Sequence, residues 1–248
     1  MLKRMLLVAG LMVALASPAL AETNGVYVGL KFLDSIQSTG SVSKSSGISS
    51  VFDVDNYTQN TVGGGIYVGY DFYPQNQVPV RTEIEYAIRT NSTTTWDLND
   101  TAKVAVNSFA KSKGADTADA SLKGEWNLQT LFLNAYWDFH NDTAFTPYIG
   151  GGIGLGFLRT KYELEVAASA HGQTASISDS FSETHTVFAW NAGAGCSYAF
   201  NENFSADLAY RFVGLSYSET EKNLLGSKEK IGMAPYANEF SLGLRYTF

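Results

Sequence analysis

The chain of 248 residues has little of several features that mark common protein classes. Its one cysteine, Cys196, excludes an intrachain disulfide. The three histidines and this cysteine form no cluster with the spacing of a transition-metal site, so we expect no metal and no cofactor. The formal net charge of -7 excludes the basic surface that nucleic-acid binding requires, and nucleic acid is therefore not an expected partner.

Long hydrophobic runs are also missing beyond the amino terminus. No later segment approaches about 18 consecutive apolar residues, so no transmembrane helix is predicted. The first residues have the layout of a secretory signal: Lys3 and Arg4, an apolar run over residues 5–16, then small residues at Ala19 and Ala21. We therefore predict export from the cytoplasm and cleavage after Ala21.

The clearest strand pattern lies in the last thirteen residues. Along a strand, successive side chains face opposite sides. Between Glu239 and Phe248 one parity is apolar and the other is polar, charged or glycine. The apolar set is Phe240, Leu242, Leu244, Tyr246 and Phe248. This pattern predicts a strand with one apolar face and one polar face.

The same pattern recurs upstream, which gives eight predicted strands in all. They are Gly25–Asp34, Thr61–Tyr73, Val78–Thr90, Glu125–Phe139, Ala144–Glu163, Glu183–Phe200, Asn203–Tyr217 and Tyr236–Phe248. Short turns at 74–77, 140–143 and 201–203 alternate with long loops at 35–60, 91–124, 164–182 and 218–235. An even strand number with alternating short turns and long loops is typical of outer-membrane barrels.

These features predict an all-β fold: a closed antiparallel eight-stranded transmembrane β-barrel with short periplasmic turns and four long extracellular loops. Closure is required because lipid offers no partner to the backbone groups of an open sheet edge. A soluble sandwich or lipocalin-like barrel would have to bury the charged row from Arg81 to Arg89, or leave a broad apolar face in water. The predicted organisation is a cleaved signal peptide, residues 1–21, and a barrel domain, residues 22–248.

Three blocks carry a resemblance to known proteins: the terminal segment 242–248, the segment 134–139 and the glycine-rich segment 147–154. They resemble the small eight-stranded outer-membrane barrel superfamily, which includes opacity proteins, OmpA/OmpX-type barrels and bacterial surface antigens of the porin-like family. The resemblance implies residence in the bacterial outer membrane, with the loops facing outside. It also implies insertion by the outer-membrane assembly machinery through the terminal strand, with Phe248 as the assembly signal, and contact with outer-membrane lipid.

The inward parity carries a nearly balanced set of charges. An eight-stranded barrel is just wide enough for side chains to fill it, so these charges are expected to pair with one another. One interpretation is a salt-bridged plug; the other is a narrow ion path that opens when the pairs rearrange. The predicted charge network in the lumen consists of Lys31, Asp71, Arg81, Glu83, Glu85, Arg89, Asp138, Asp207, Arg211, Glu239 and Arg245.

Two functional hypotheses follow. The first is a surface-exposed anchor, adhesin-like or structural for the envelope, whose long loops contact host or other surface ligands. The second is a small porin that conducts ions or small solutes. An enzyme is not expected, because the best candidate base, His185, has Ser182 on the opposite parity of its strand, and a nucleophile must meet its base at hydrogen-bond distance.

Overall fold

The fold was analysed in a computed structural model, which describes residues 25–40, 43–44, 51–52, 56–224 and 227–248. The predicted signal peptide, residues 1–21, lies outside the described residues. The strands are β1 (Val26–Ser38), β2 (Ser43–Lys44), β3 (Thr58–Asp71), β4 (Val80–Arg89), β5 (Ser92–Asp97), β6 (Thr117–Asp138), β7 (Phe145–Ala170), β8 (Gln173–Ala199), β9 (Phe204–Leu215), β10 (Ser218–Leu224), β11 (Ser227–Met233) and β12 (Tyr236–Thr247). The helices are α1 (Tyr73–Asn76) and α2 (Asp100–Ser112).

Eight of these strands form an antiparallel ring in the order β1-β3-β4-β6-β7-β8-β9-β12. The ring closes because β12 pairs with β1, with Leu30 opposite Leu244 and Tyr27 opposite Thr247. The pairing of β4 with β6, from Val80–Trp137 to Ile88–Gln129, completes the wall on the other side. The predicted closed eight-stranded barrel is therefore confirmed.

The two faces of the wall differ as the alternation predicts. Large apolar side chains point outward, and Leu208 is 64% exposed. Charged side chains point inward, and Glu85 and Glu239 are both 0% exposed. An exposed apolar exterior around a charged interior reverses the arrangement of a soluble protein, and suits a wall that lipid surrounds.

Aromatic rings gather at the end of the barrel that carries the short turns. Phe145 packs on Tyr198 with ring centroids 4.8 Å apart, and Phe204 packs on Tyr246 at 5.0 Å. Aromatic side chains favour the boundary between hydrocarbon and water. We call this the short-turn end; in outer-membrane barrels it faces the periplasm.

At the opposite end the structure differs from the predicted loops. The segment predicted as the loop 164–182 instead continues β7 and β8 as a paired hairpin, which reaches Ala170 opposite Gln173. The turn residues His171 and Gly172 have φ angles of 53° and 77°, as a two-residue hairpin turn requires. The prediction failed there because the apolar pattern fades: Leu164 and Val166 continue it on β7, whereas beyond them Ala, Ser and polar residues predominate and Ile177 is exposed.

Other predicted loops also contain regular structure. The segment 91–124 holds β5, which pairs with β6, and α2, whose N-cap Asn99 accepts a hydrogen bond from the Ala102 N–H at 2.9 Å. Within 218–235, β10 pairs with β11, and β11 pairs with β2 in a second small sheet. No helix among the described residues is long and apolar enough to cross a membrane. We call the structure at this end of the barrel the outer extension; it consists of β5, α2 and the outer ends of β6, β7 and β8.

Candidate functional site in the barrel interior

A chain of ion pairs crosses the lumen at mid-height. Lys31 Nζ lies 2.6 Å from Glu85 Oε2, and Arg211 Nη1 donates to the same oxygen at 2.9 Å. The Arg211 Nε donates to Glu239 Oε2 at 2.8 Å, and Arg89 donates to the other oxygen of Glu239. Because β1, β4, β9 and β12 each contribute to this chain, it ties strands on opposite sides of the ring together.

A second group of pairs lies nearer the short-turn end. Arg81 Nε donates to Asp138 Oδ2 at 2.6 Å, and the Arg81 guanidinium lies 5.1 Å from the ring centre of Tyr136. The Tyr136 hydroxyl donates to Glu83 Oε1 at 3.2 Å, and the same oxygen is 3.4 Å from Lys31 Nζ. Lys31 therefore belongs both to this group and to the row of ion pairs at mid-height.

Arg245 and Asp207 form the third group. Their closest atoms are 4.0 Å apart, a loose ion pair. Arg245 also donates to the hydroxyls of Ser205 and Ser197, each at 2.9 Å. Neutral serine acceptors thus hold this guanidinium more firmly than its carboxylate partner does.

Asp71 stands apart from the other predicted network residues. It is opposite Arg81 in the pairing of β3 with β4, but the Arg81 side chain turns to Asp138 instead. One Asp71 oxygen accepts a hydrogen bond from the Tyr73 backbone N–H at 2.9 Å. Within the described ranges, Asp71 takes part in no ion pair.

The space between these groups is small. The central cavity, lined by Lys31, Arg81 and Asp207 among others, has a volume of about 40 Å³. A water molecule needs about 10–15 Å³ of such space, so the cavity holds a few waters and no larger solute. Two close approaches explain the tight filling: a Cβ at Gly29 would overlap the Tyr67 ring, and one at Gly150 would overlap the Tyr136 ring.

Apolar side chains fill the lumen towards the outer extension, a feature that sequence reasoning missed. A first layer packs Leu128, Phe132, Val213 and Leu215 together with small neighbours. A second cluster packs further out and includes residues of β5 and β11, which were predicted as loop. Its buried members are Trp96, Leu122, Trp126, Leu158, Tyr162 and Met233.

These inward positions could have been found from the parity of each strand. Trp126 and Leu128 share the inward parity of Phe132 on β6, and Leu158 shares that of Gly156 on β7. The outward neighbours there include Asn127 and Arg159, which are polar, so the alternation is the reverse of the pattern that marks the lipid-facing part of each strand. Apolar constrictions of this kind exclude water and ions.

The outer extension presents a surface of its own. On α2, Val104 is 68% exposed and Phe109 is 67% exposed, while Lys103 and Lys111 are also exposed. Asn107 Oδ1 accepts from the Ala118 N–H at 3.1 Å, which holds the helix against β6.

The hairpin tip is held to the same region. Asp116 accepts a hydrogen bond from the His171 N–H at 2.8 Å, and its own N–H donates to Ser169 O at 2.7 Å. The β7–β8 tip and the segment after α2 are therefore joined by two hydrogen bonds.

The candidate catalytic residues do not assemble. His185 Nε2 lies 3.3 Å from Glu183 Oε2, and the two share one parity of β8. Ser182 has the opposite parity, so it faces the other side of the strand. Ser182 and His185 therefore lie on opposite faces of β8 and do not meet as nucleophile and base.

Known proteins match this chain over most of its length. Residues 6–248 match the model of the family described as outer membrane protein beta-barrel domain. Outer membrane protein PagN of Salmonella typhimurium is 32% identical over 195 residues, which cover 77% of this chain and 74% of PagN. The Rickettsia conorii protein RC1281, whose name describes it as a candidate adhesin, is 26% identical and covers 95% of this chain and 98% of its own length.

Among solved structures, OprG of Pseudomonas aeruginosa is similar with a TM-score of 0.49 and 15% identity, over 91% of this chain and 96% of OprG. The relatives named above are outer-membrane and adhesin-type proteins, which agrees with the expectation that the chain is not an enzyme. The predicted location in the bacterial outer membrane is likewise confirmed. The chain belongs to the family of outer membrane protein beta-barrel domains.

Proposed function

We propose that this chain is an adhesin-type surface protein, in which a closed barrel anchors an ordered contact surface outside the cell. The observation that carries the proposal is the occluded lumen. Among the residues that the structure describes, a central cavity of about 40 Å³ and two apolar layers leave little room for a solute. The name of the relative RC1281, which describes a candidate adhesin, also supports an adhesin function.

In this proposal the charge network in the lumen is a structural plug. Its carboxylates and cations pair across the ring, and an unpaired buried charge would cost several kcal/mol. The outward apolar face contacts outer-membrane lipid. Phe248 is the signal for the outer-membrane assembly machinery, and in the folded barrel its N–H donates to Val26 O at 3.0 Å.

We place the ligand contact on α2. The helix α2 offers apolar and charged groups for such a contact, because Val104 and Phe109 are largely exposed and Lys103 and Lys111 lie on the same helix. The expected ligand is a macromolecule on a host cell or another surface. The β7–β8 hairpin supports the helix through Asp116.

Adhesion of bacteria that express the chain tests this assignment. A non-adherent bacterial host that carries the protein should bind cultured cells, and the variant V104S/F109S should lose most of that binding. Ile177→Ser is the matched control, because Ile177 is an equally exposed apolar residue at the β8 tip. Adhesion that survives V104S/F109S, or a parent chain that confers none, contradicts the proposal.

A planar bilayer distinguishes this proposal from the porin hypothesis. If the apolar layers close the lumen, refolded chain that migrates as a heat-shifted band should give no discrete openings, whereas a porin should give them. Reproducible channels in the parent chain would replace the adhesin proposal with the porin hypothesis.

A further inference from the structure

We propose that the short-turn end of the barrel binds a divalent transition-metal cation between Asp71, Asp138 and His140. One ligand atom from each of the three lies within 4.8 Å of the other two. Asp71 ends β3, Asp138 ends β6, and His140 lies in the turn that follows β6. The three residues meet because β4 alone separates β3 from β6 in the ring.

The Asp138 carboxylate provides a second, independent observation at this site. The residue is 4% exposed, and its Oδ2 accepts from Arg81 Nε at 2.6 Å. Its second oxygen, Oδ1, is buried and has no hydrogen-bond partner in the described part of the chain. A buried carboxylate oxygen without a partner is costly, and a bound cation would satisfy it.

The other two ligands are held by Tyr73. The Tyr73 N–H donates to one oxygen of Asp71 at 2.9 Å, which leaves the other oxygen available. The Tyr73 ring stacks on His140 with centroids 3.6 Å apart and an angle of 9° between the planes. Asp71 is half-buried and His140 is exposed, so a cation can reach the site from solvent and keep water ligands.

The donor set selects the kind of metal. Two carboxylates and one imidazole suit zinc and its neighbours, whereas calcium and magnesium favour oxygen ligands alone. Zinc bonds of about 2.0–2.2 Å place neighbouring ligand atoms roughly 3–4 Å apart. The group must therefore tighten by about 1 Å, which a sideways shift of the exposed His140 ring within its stack on Tyr73 allows.

Arg81 sets a limit on the affinity. Its charge neutralises one of the two carboxylates, so about one carboxylate charge remains to attract a cation. We therefore expect weaker binding than in a closed structural zinc site. A bound ion would link the end of β3 to the turn after β6 and so brace the mouth of the barrel.

Titration of the refolded, untagged chain with ZnCl2 after chelator treatment tests the site. Isothermal calorimetry should show one saturable Zn²⁺ per chain, and binding should weaken by at least about tenfold in H140Q and D71N. His171→Gln is the matched control, because His171 lies at the far end of the β7–β8 hairpin. A heat-shifted gel band confirms that each variant is folded.

His140→Gln decides the outcome, since replacement of Asp138 also removes the partner of Arg81. Three results would overturn the proposal: no saturable binding, equal binding of parent and H140Q, or equal binding of Zn²⁺, Mg²⁺ and Ca²⁺. Loss of binding in His185→Gln alone would also overturn it, because the ion would then sit near Glu183 at the other end of the barrel.

Discussion

Replacing Glu239 with glutamine removes one buried negative charge and keeps the shape of the side chain. The Glu239 carboxylate accepts hydrogen bonds from Arg89, from Arg211 Nε at 2.8 Å and from Ser35 Oγ at 2.9 Å. In the variant, Arg211 keeps Glu85 as a partner, but Arg89 loses its carboxylate. The change therefore leaves one buried guanidinium without an opposite charge.

The expected cost follows from the surroundings of that guanidinium. Removing one partner of a buried ion pair costs about 3–5 kcal/mol, whereas an exposed pair contributes about 0–1 kcal/mol. The side chains of Arg89 and Glu239 are both 0% exposed, so the pair lies out of contact with bulk water. Water cannot replace the lost carboxylate there, so we expect the free energy of unfolding to fall by about 3 kcal/mol or more.

Urea unfolding of the refolded chain in detergent micelles, followed by tryptophan fluorescence, measures this change. Glu202→Gln in an exposed turn is the control and should stay within about 0.5 kcal/mol of the parent. The double variant R89Q/E239Q should cost less than the sum of its single variants, by about 0.5–3 kcal/mol, because the two residues are in contact. If E239Q costs under about 1 kcal/mol, the lumen is solvated and the plug is refuted.

Three further predictions test the lipid face, the apolar layer and the chain ends. Leu208→Arg places a charge on the lipid face and should destabilise the barrel in liposomes by about 2–4 kcal/mol in the same urea assay. The variant F132A/L215A removes bulk from the inner apolar layer and should raise bilayer conductance above the silent parent; a silent, folded variant would contradict that layer as a barrier. Protein extracted from outer membranes should begin at Glu22 on amino-terminal sequencing, and removal of Phe248 should lower the amount of heat-shifted barrel in those membranes.

The strands were predictable wherever lipid and lumen impose different chemistry on alternate residues. Strand β4, observed at Val80–Arg89, was predicted as Val78–Thr90, and its four inward charges set the parity without ambiguity. The hairpin beyond Glu163 was not predictable in this way. Leu164 still packs on the apolar cluster, but further out Ala, Ser and polar residues predominate and Ile177 is exposed, so no continuous apolar face marks the strands.

The contacts within the lumen were only partly predictable. Parity identifies which charged residues face inward. The partner of each one depends on how far neighbouring strands are shifted in register and on the length of its side chain. Arg81 is opposite Asp71 across one ladder and opposite Tyr136 across the next, yet its guanidinium pairs with Asp138, two residues further along β6. The grouping of Asp71 with His140 was invisible for the same reason, because 69 residues of chain separate positions that the ring brings together.

The layering of the lumen has a consequence for binding outside the membrane. Charged pairs occupy the lumen from the short turns to mid-height, whereas apolar clusters fill the part that continues into the outer extension. Trp126 and Leu158 belong to the same strands as the extension, so packing inside the barrel mouth also fixes β6 and β7 above it. A surface that is already ordered loses little conformational entropy when a ligand binds. The apolar layer therefore serves the proposed contact on α2 in two ways: it closes the lumen, and it holds the binding surface in place before any ligand arrives.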